Sequence, residues 1–322
     1  MKSLRRLGQS PIEISPIGLG CWQFSEGKGL VGGFWEALAP DLVTAIVERS
    51  LSGGINWFDT AEAYGGGRSE EVLGSTLRRI GKAPGDVVIA TKWWPSFRTS
   101  CSIANTIDER LRRLGGFGID LHQVHQPFGL SSVEAEMQAM ADLVAAGKIR
   151  TVGVSNFSAS RTRRAHAALA SRGVPLVSNQ MKYSLLDRRI ETSGVLDTCK
   201  ELGVTLVAYS PLEQGLLSGK FHEDRALIKT RPGPRKWLPS FGTRGLKKSL
   251  PLIEELRAIA KAHGATPSQV ALAWLLQFHG DTVVAIPGAT KAHHVDDHVG
   301  AMALTLTPKE LASLDERSRA FR

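Results

Sequence analysis

Four side chains spread over the first 125 residues raise the chemical question: Asp59, Tyr64, Lys92 and His125. Asp59 ends the apolar run Ile55–Asp59, and Tyr64 follows it in the segment Phe58-Asp59-Thr60-Ala61-Glu62-Ala63-Tyr64-Gly65. Lys92 stands directly after Val87–Thr91, and His125 closes Leu121–His125. Taken singly, each has an ordinary structural explanation: a turn cap, a surface aromatic, a solvated loop charge, a satisfied core histidine. Four such polar groups together are harder to explain that way, and their types permit proton transfer. A free phenol, with a pKa of ~10, holds its proton and releases it slowly. An ammonium beside it stabilises phenolate and lowers that pKa, and a carboxylate can keep the ammonium charged and oriented. An imidazole can hydrogen-bond a reacting oxygen and fix it in place.

Regular elements must bring these groups together. Brief runs rich in Val, Ile or Leu recur at Ile17–Trp22, Ile55–Asp59, Val87–Thr91, Leu121–His125, Arg150–Val154, Leu176–Asn179, Thr205–Tyr209 and Thr282–Ile286. Most are separated by one helical pattern, which calls for parallel strands with crossover helices. Eight such units over 322 residues predict an α/β fold, a closed (β/α)8 TIM barrel in a single domain spanning residues 1–322, in preference to a doubly wound open sheet. Barrel active sites are built at C-terminal strand ends, where Asp59, Lys92 and His125 fall.

Other signals mark boundaries. Ser3–Ile14, with Gly8 in its middle, reads as an N-terminal hairpin covering one barrel end, and extra helices follow the last strand. Ser69-Glu70-Glu71 is read as opening a helix that Arg78-Arg79 and Gly81 close. Ser131-Ser132-Val133-Glu134 is read as a capping box before the apolar stripe Val133, Met137, Met140 and Val144. Thr266-Pro267-Ser268-Gln269 and Thr307-Pro308-Lys309-Glu310 each combine a cap, a proline at the first helical position and a reciprocal Gln or Glu. Glu213–Gly245 is long and basic, with Pro232, Pro234 and Pro239, and reads as a lid or binding loop.

Composition narrows the class. The formal charge of +9 is scattered over Arg112-Arg113, Arg161, Arg163, Arg164, Arg188-Arg189 and Lys247-Lys248, with no nucleic-acid-binding motif. No run approaches the ~20 apolar residues that span a bilayer, and no apolar core follows the basic start Met1–Gly8, so neither a membrane nor a signal peptide is expected. Cys21, Cys101 and Cys199 lie far apart without a CxxC pair, and a cytoplasmic setting is the default. Gly65-Gly66-Gly67 lacks the Lys-Ser/Thr ending of a P-loop, and no GxGxxG follows the first strand. His293, His294 and His298 have helical spacings that invite a metal, but no second ligand cluster accompanies them and no metal is expected.

FDTAEAYG, ATK and the VH of LHQVHQP resemble the tetrad segments of the aldo-keto reductases, in the same order. The similarity continues through VGVSNF, NQMKYSLL, YSPLEQGLLSGKF and IPGATK, so it covers nearly the whole chain. In pattern it comes nearest the branch that includes potassium-channel β-subunit-like reductases. The resemblance implies reduction of aldehydes or ketones to alcohols by hydride transfer from NADPH, with NADH possible. Tyr64 would be the proton donor, supported by Asp59, Lys92 and His125. It implies that Ser155, Asn156 and Gln180 bind the nicotinamide carboxamide and that Tyr209 stacks on the ring. The pyrophosphate would lie along Ser210, Pro211, Leu212, Gly215 and Leu216 with Lys220 nearby, and Gly288, Thr290 and Lys291 would approach the adenosine ribose and its 2′-phosphate.

This chain departs from the family at that end. Where many relatives carry Gln or Arg and, four residues later, Asn, it has His294 and His298, with Asp297 keeping the usual acidic position. All three are read as contacts to adenine or phosphate. Trp22, Trp93 and Trp94 flank catalytic strand ends and are read as lining the substrate pocket. After Ala301 the chain reads as one helix and a stub, which predicts an open, permissive site. The expected partner is a small-molecule carbonyl substrate, and the expected state a monomer or weak homo-oligomer. A nucleotide-occupied regulatory protein is the alternative, because the channel β-subunits share barrel and tetrad.

Overall fold

The computed structural model describes residues 4–28, 34–231 and 233–322; Ser3 and Pro232, assigned above to the hairpin and the long basic segment, lie outside the described residues. Strand β1 (Arg5–Arg6) pairs antiparallel with β2 (Glu13–Ile14). The turn passes through Gly8 at φ +54°, and a Cβ there would meet the Val177 carbonyl oxygen at 2.5 Å. Only glycine fits both the backbone conformation and the close approach. Leu7, Ile12 and Ile14 then pack with Trp57, Val177, Val207 and Val284 in one apolar cluster. The Gly8 N–H donates to Thr205 Oγ1 at 2.7 Å, at the first residue of a barrel strand, so the hairpin floors the N-terminal end of the barrel.

Eight strands follow: β3 (Leu19–Gly20), β4 (Trp57–Asp59), β5 (Val88–Trp93), β6 (Leu121–Val124), β7 (Thr151–Ser155), β8 (Leu176–Lys182), β9 (Thr205–Tyr209) and β10 (Val283–Ala285). Each pairs in parallel with the next. Parallel bridges from Ile17 to Ala285 and from Gly20 to Gly288 join the last strand to the first and close the barrel. The strands are almost wholly buried, as parallel strands covered by helices must be. All eight predicted runs are strands, with shifted ends. β3 covers only the middle of Ile17–Trp22, and Trp22 opens a 3₁₀ turn, Trp22–Ser25. β5 continues through Lys92 and Trp93.

Around the strands lie α1 (Pro40–Ser52), α2 (Arg68–Arg79), α3 (Cys101–Arg113), α4 (Val133–Ala145), α5 (Ala159–Ala170), α6 (Val195–Leu202), α7 (Thr243–His263), α8 (Pro267–Gln277), α9 (Ala292–Ala303) and α10 (Pro308–Ser318). The capping boxes at Thr266 and Thr307 are both formed. The helix read from Ser69 to Arg79 is present with Glu70 and Glu71 in its first turn and Arg78 and Arg79 in its last, starting one residue earlier, whereas the start of α4 is corrected. The helix α2 follows Gly67, and the buried Ser69 hydroxyl donates to the Cys21 carbonyl at 2.7 Å instead of capping. For α4 the cap is Ser132, which accepts from the Ala135 N–H, while Ser131 accepts from Ser100 N–H; no box forms.

Glu213–Gly245, read as a lid or binding loop, is built of short turns and helices, and Gln214, Gly215, Ser218, Lys220 and Arg231 from it line the cavity described below. It winds through 3₁₀ turns at Glu213–Ser218, Gly233–Trp237 and Pro239–Phe241 and four-residue helices at Lys220–Glu223 and Ala226–Lys229. Leu216, Phe221, Phe241 and Leu246 form a small core of their own, with the Arg231 guanidinium 4.5 Å over the Phe221 ring. Among the described residues no helix is long and apolar enough to cross a membrane.

Candidate active site

Strand register puts the first charges in contact. Asp59 on β4 is level with Ala90 on β5, so Lys92, two residues on, projects to the same barrel interior. Its ammonium donates to an Asp59 carboxylate oxygen, to the Thr60 carbonyl at 2.9 Å and to the Tyr64 hydroxyl oxygen at 3.4 Å. The other Asp59 oxygen accepts from Gln180 Nε2 at 2.9 Å and Gln123 Nε2 at 3.2 Å. The Lys92 and Asp59 side chains are 0% and 2% exposed, so neither charge is shared with water. Tyr64 sits on the turn after β4, where Gly65, Gly66 and Gly67 all take positive φ and reverse the chain into α2.

The hydrogen-bond direction matters. Because the ammonium is the donor, Tyr64 accepts through its oxygen and keeps its own proton for another acceptor. Burial pushes the Tyr64 phenol above its ordinary value, and the nearby Lys92 charge opposes that push without overcoming it. The expected lowering by Lys92 is therefore present but outweighed by burial, and Tyr64 is a neutral phenol at physiological pH. For Lys92, burial works against the charge, yet the Asp59 carboxylate and Tyr64 outweigh it and hold the ammonium firmly protonated. His125, directly after β6, is driven well below its usual range by burial and then by Lys92, so it is neutral. Its ring stands edge-on to Tyr64, with centroids 5.7 Å apart, and to Trp94 at 5.1 Å, while Trp22 stacks on Tyr64 at 6.0 Å.

A cavity of about 520 Å³ opens above these groups, within the ~300–1,000 Å³ range of small-molecule sites. Asp59, Tyr64, His125, Trp22 and Trp94 line one part of it. Ser155, Asn156 and Gln180 form the next stretch, followed by Tyr209, Ser210, Pro211, Leu212 and Gly215. Asn156 donates to the His125 carbonyl at 3.2 Å and accepts from the Tyr209 hydroxyl at 3.0 Å, and Ser155 Oγ donates to the Gln180 carbonyl at 2.9 Å. Asn156, Ser210 and Gln214 are non-glycine residues at φ +61°, +51° and +56°. Such strain, of order ~1–3 kcal/mol each, clusters where a wall is shaped for a ligand.

Lys220, Gly288, Thr290, His294, Asp297 and His298 line the far end. His298 is 1% exposed, and its Nδ1 has no partner among the described residues. Burial and then His294 lower it to about 3. His294 accepts from the Thr290 N–H at 3.3 Å and is lowered to about 4 by burial, then by His293, Lys220 and Lys291. Both imidazoles are thus neutral, with two lysines close enough to be felt. Burial raises the Asp297 carboxyl, which accepts from Thr266 Oγ1 at 2.8 Å. Among the described residues no group of His, Cys, Asp or Glu is arranged to hold a metal.

Four predicted site residues do not line the cavity. Lys92 lies beneath it and donates to the Tyr64 hydroxyl oxygen. Leu216 is buried against Phe221 and Phe241. Lys291 is exposed, at the cap position of α9. Trp93 is corrected outright: it is 1% exposed, on the outer face of β5, with its indole N–H donating to Ser102 Oγ at 3.0 Å. Because β5 runs on through residue 93, the inward Lys92 forces Trp93 outward. The sequence reading missed Gln123, although its place two residues before His125 on β6 would have put both on one face. It also missed Gln23, which lines the cavity and carries no motif.

Comparison with known proteins agrees with this architecture. The model of the aldo/keto reductase family matches residues 16–319. An uncharacterized oxidoreductase of Mycobacterium tuberculosis is 39% identical over 311 residues, 96% of this chain and 91% of its own length. An aldo-keto reductase of Strobilurus tenacellus is 34% identical over 320 residues, 96% of this chain and 90% of the relative. Among solved structures, the glycerol dehydrogenase of Gluconobacter oxydans matches with a TM-score of 0.84 at 28% identity, covering 99% of this chain and 96% of that one.

The buried histidine at the far end gives a pH prediction. Folded His298 protonates only near about 3, against 6.5 for a free imidazole. Between those values the unfolded chain binds the extra proton, so this residue subtracts stability as pH falls through that window. Urea denaturation of wild type and His298→Gln, compared from about pH 6.5 down to about pH 4, should show the variant losing less stability. Equal pH slopes would mean that the imidazole protonates as easily inside the fold as outside it.

Proposed function

The chain belongs to the aldo/keto reductase family of nicotinamide-dependent carbonyl oxidoreductases, and from that premise we propose that it reduces aldehydes or ketones to alcohols with NADPH, Tyr64 giving the proton. The observation that carries this reading is the donor direction at Tyr64: a buried, charged Lys92 donates to the phenol oxygen and leaves the phenol proton for the cavity. When bound, the reduced cofactor supplies the hydride.

The chain's own residues would do the rest. Negative charge growing on a carbonyl oxygen is met by the Tyr64 proton, and the phenolate left behind is stabilised by the Lys92 ammonium, 4.9 Å from the ring centroid. Asp59 keeps that ammonium charged. Neutral His125 can donate one N–H to the same oxygen without adding a cation beside Lys92. Trp22 and Trp94 flank the phenol and the imidazole with apolar surface.

The cavity suits a dinucleotide. Asn156, Ser155 and Gln180 offer amide and hydroxyl groups beside the Tyr64 end, and Tyr209 presents a ring held through Asn156. Unpaired His298 Nδ1 at the far end is a buried polar atom that an adenine edge could satisfy. Lys220 and Lys291 both act on His294, and this positive charge at the far end supports a seat there for a 2′-phosphate. The NADPH preference rests on that charge.

Two substitutions test the reading. Tyr64→Phe should abolish carbonyl reduction while cofactor affinity stays near wild type, since only the donated proton is removed; near wild-type single-turnover rates in this variant would sink the assignment. Lys291→Ala should weaken NADPH by about 1–3 kcal/mol, the size of a lost hydrogen bond to a charged group, and leave NADH nearly unchanged. Fluorescence titration of both cofactors decides this, and equal losses would mean Lys291 does not read the phosphate.

A further inference from the structure

Glu62 lies two residues before Tyr64, and its carboxylate ties three elements together. One oxygen accepts from the Trp94 backbone N–H at 3.0 Å. The other accepts from the Arg98 guanidinium at 2.8 Å and faces Arg110 of α3 at 3.0 Å. Arg98 donates back to the Trp94 carbonyl at 3.0 Å, to Ser102 Oγ at 3.1 Å and to Thr106 Oγ1 at 3.2 Å. Both backbone polar groups of Trp94 therefore end on a single ion pair.

The loop that carries Trp94 is further tied by the Arg98 N–H to the Pro95 carbonyl at 3.0 Å and by the Ser100 N–H to Ser131 Oγ at 2.9 Å. Phe97 sits at φ +56° and is 91% exposed, so this bend is anchored by polar contacts and not by packing of its aromatic ring. Trp94 in turn sets the wall of the carbonyl end, edge-on to His125 at 5.1 Å and to Phe128 at 5.6 Å. The neighbouring loop follows, because the Leu130 N–H donates to the Arg98 carbonyl at 2.9 Å. On the other side, Glu62 is fixed to β5 by its own N–H, which donates to the Lys92 carbonyl at 3.1 Å.

We propose that Glu62 is a positioning residue that fixes the spacing between the Tyr64 turn and the Trp94–His125 wall, and so sets how a carbonyl substrate lies against the proton donor. This rests on the carbonyl-reductase reading for its kinetic consequences but not for the clamp itself. Glu62 touches neither Tyr64 nor the Lys92 ammonium, so the titration of the donor is independent of it.

The test uses Glu62→Ala and Glu62→Gln in the full-length protein. Glu62→Ala should lower kcat/KM for an aldehyde about tenfold or more, mainly through kcat, the size expected from misplacing a reacting group. Its pH–rate profile and its affinity for NADPH should match wild type. Glu62→Gln keeps an acceptor for the Trp94 N–H and should show a smaller loss in the same direction, which also serves if the alanine variant fails to fold. Hydrogen exchange at the Trp94 amide, measured without cofactor or substrate, should quicken in Glu62→Ala and reports on the clamp even if wild type reduces no carbonyl. Unchanged Trp94 exchange overturns the proposal. So does an unchanged kcat/KM, a shifted pH profile, or a loss of NADPH affinity.

Discussion

The ion pair between Lys92 and Asp59 is the contact around which the site is arranged. Two opposite charges with almost no exposure to water are tolerated only when their remaining hydrogen-bonding capacity is met. Here the ammonium has the carboxylate, a backbone carbonyl and the phenol oxygen, and the carboxylate has two glutamine amides. Those partners come from β4, β5, β6, β8 and the turn after β4, so the pair exists only if the barrel closes in this register. Removing one member would strand the other, at a cost of about 3–5 kcal/mol. Such a pair adds little stability over well-packed apolar residues of similar volume. What it adds is a fixed positive charge beneath a phenol.

Barrel geometry gives that charge a direction. All eight strands run parallel, and the hairpin cluster of Leu7, Ile12 and Ile14 fills the N-terminal end. Access is therefore left at the C-terminal strand ends, where the cavity runs from Tyr64 to His298. Its two ends differ in charge. At Tyr64 the cavity wall presents an uncharged phenol and imidazole, and the Asp59 carboxylate that also reaches it is neutralised by the Lys92 ammonium behind. At His298 the imidazoles are neutral as well, but Lys220 and Lys291 stand close enough to depress His294. A ligand with one neutral reactive end and one anionic end matches this gradient.

Much of this was legible in the sequence, for physical reasons. Buried parallel strands read as short apolar runs, and polar residues at the C-terminal ends of such runs have few other places to go, which is why Asp59, Lys92 and His125 could be placed. Trp93 was misread because β5 outlasts its β-branched run by two residues; alternation from Lys92 would have sent it outward. Ser69 and Ser131 carry ordinary capping chemistry but are claimed by other partners, Cys21 and Ser100, that only the fold brings near. The Glu213–Gly245 strap left no periodic signal, since its turns and helices are three to six residues long and its core is a tertiary cluster about Phe221 and Phe241. Gln123 was hidden in a strand, and Glu62 between two motif residues, because their importance lies in what they hold.

The role of Lys92 as the charge that tunes Tyr64 is open to direct measurement. A fluorinated tyrosine can be incorporated throughout to bring phenol ionisation into a mild pH range, with the Tyr64 signal isolated by difference against Tyr64→Phe. Titration by ultraviolet absorbance is then compared in protein with Lys92 and with Lys92→Met. Loss of the ammonium should move the Tyr64 ionisation to higher pH, because burial would act without its opposing charge. An unmoved or lowered ionisation in Lys92→Met would contradict the coupling on which the site is built.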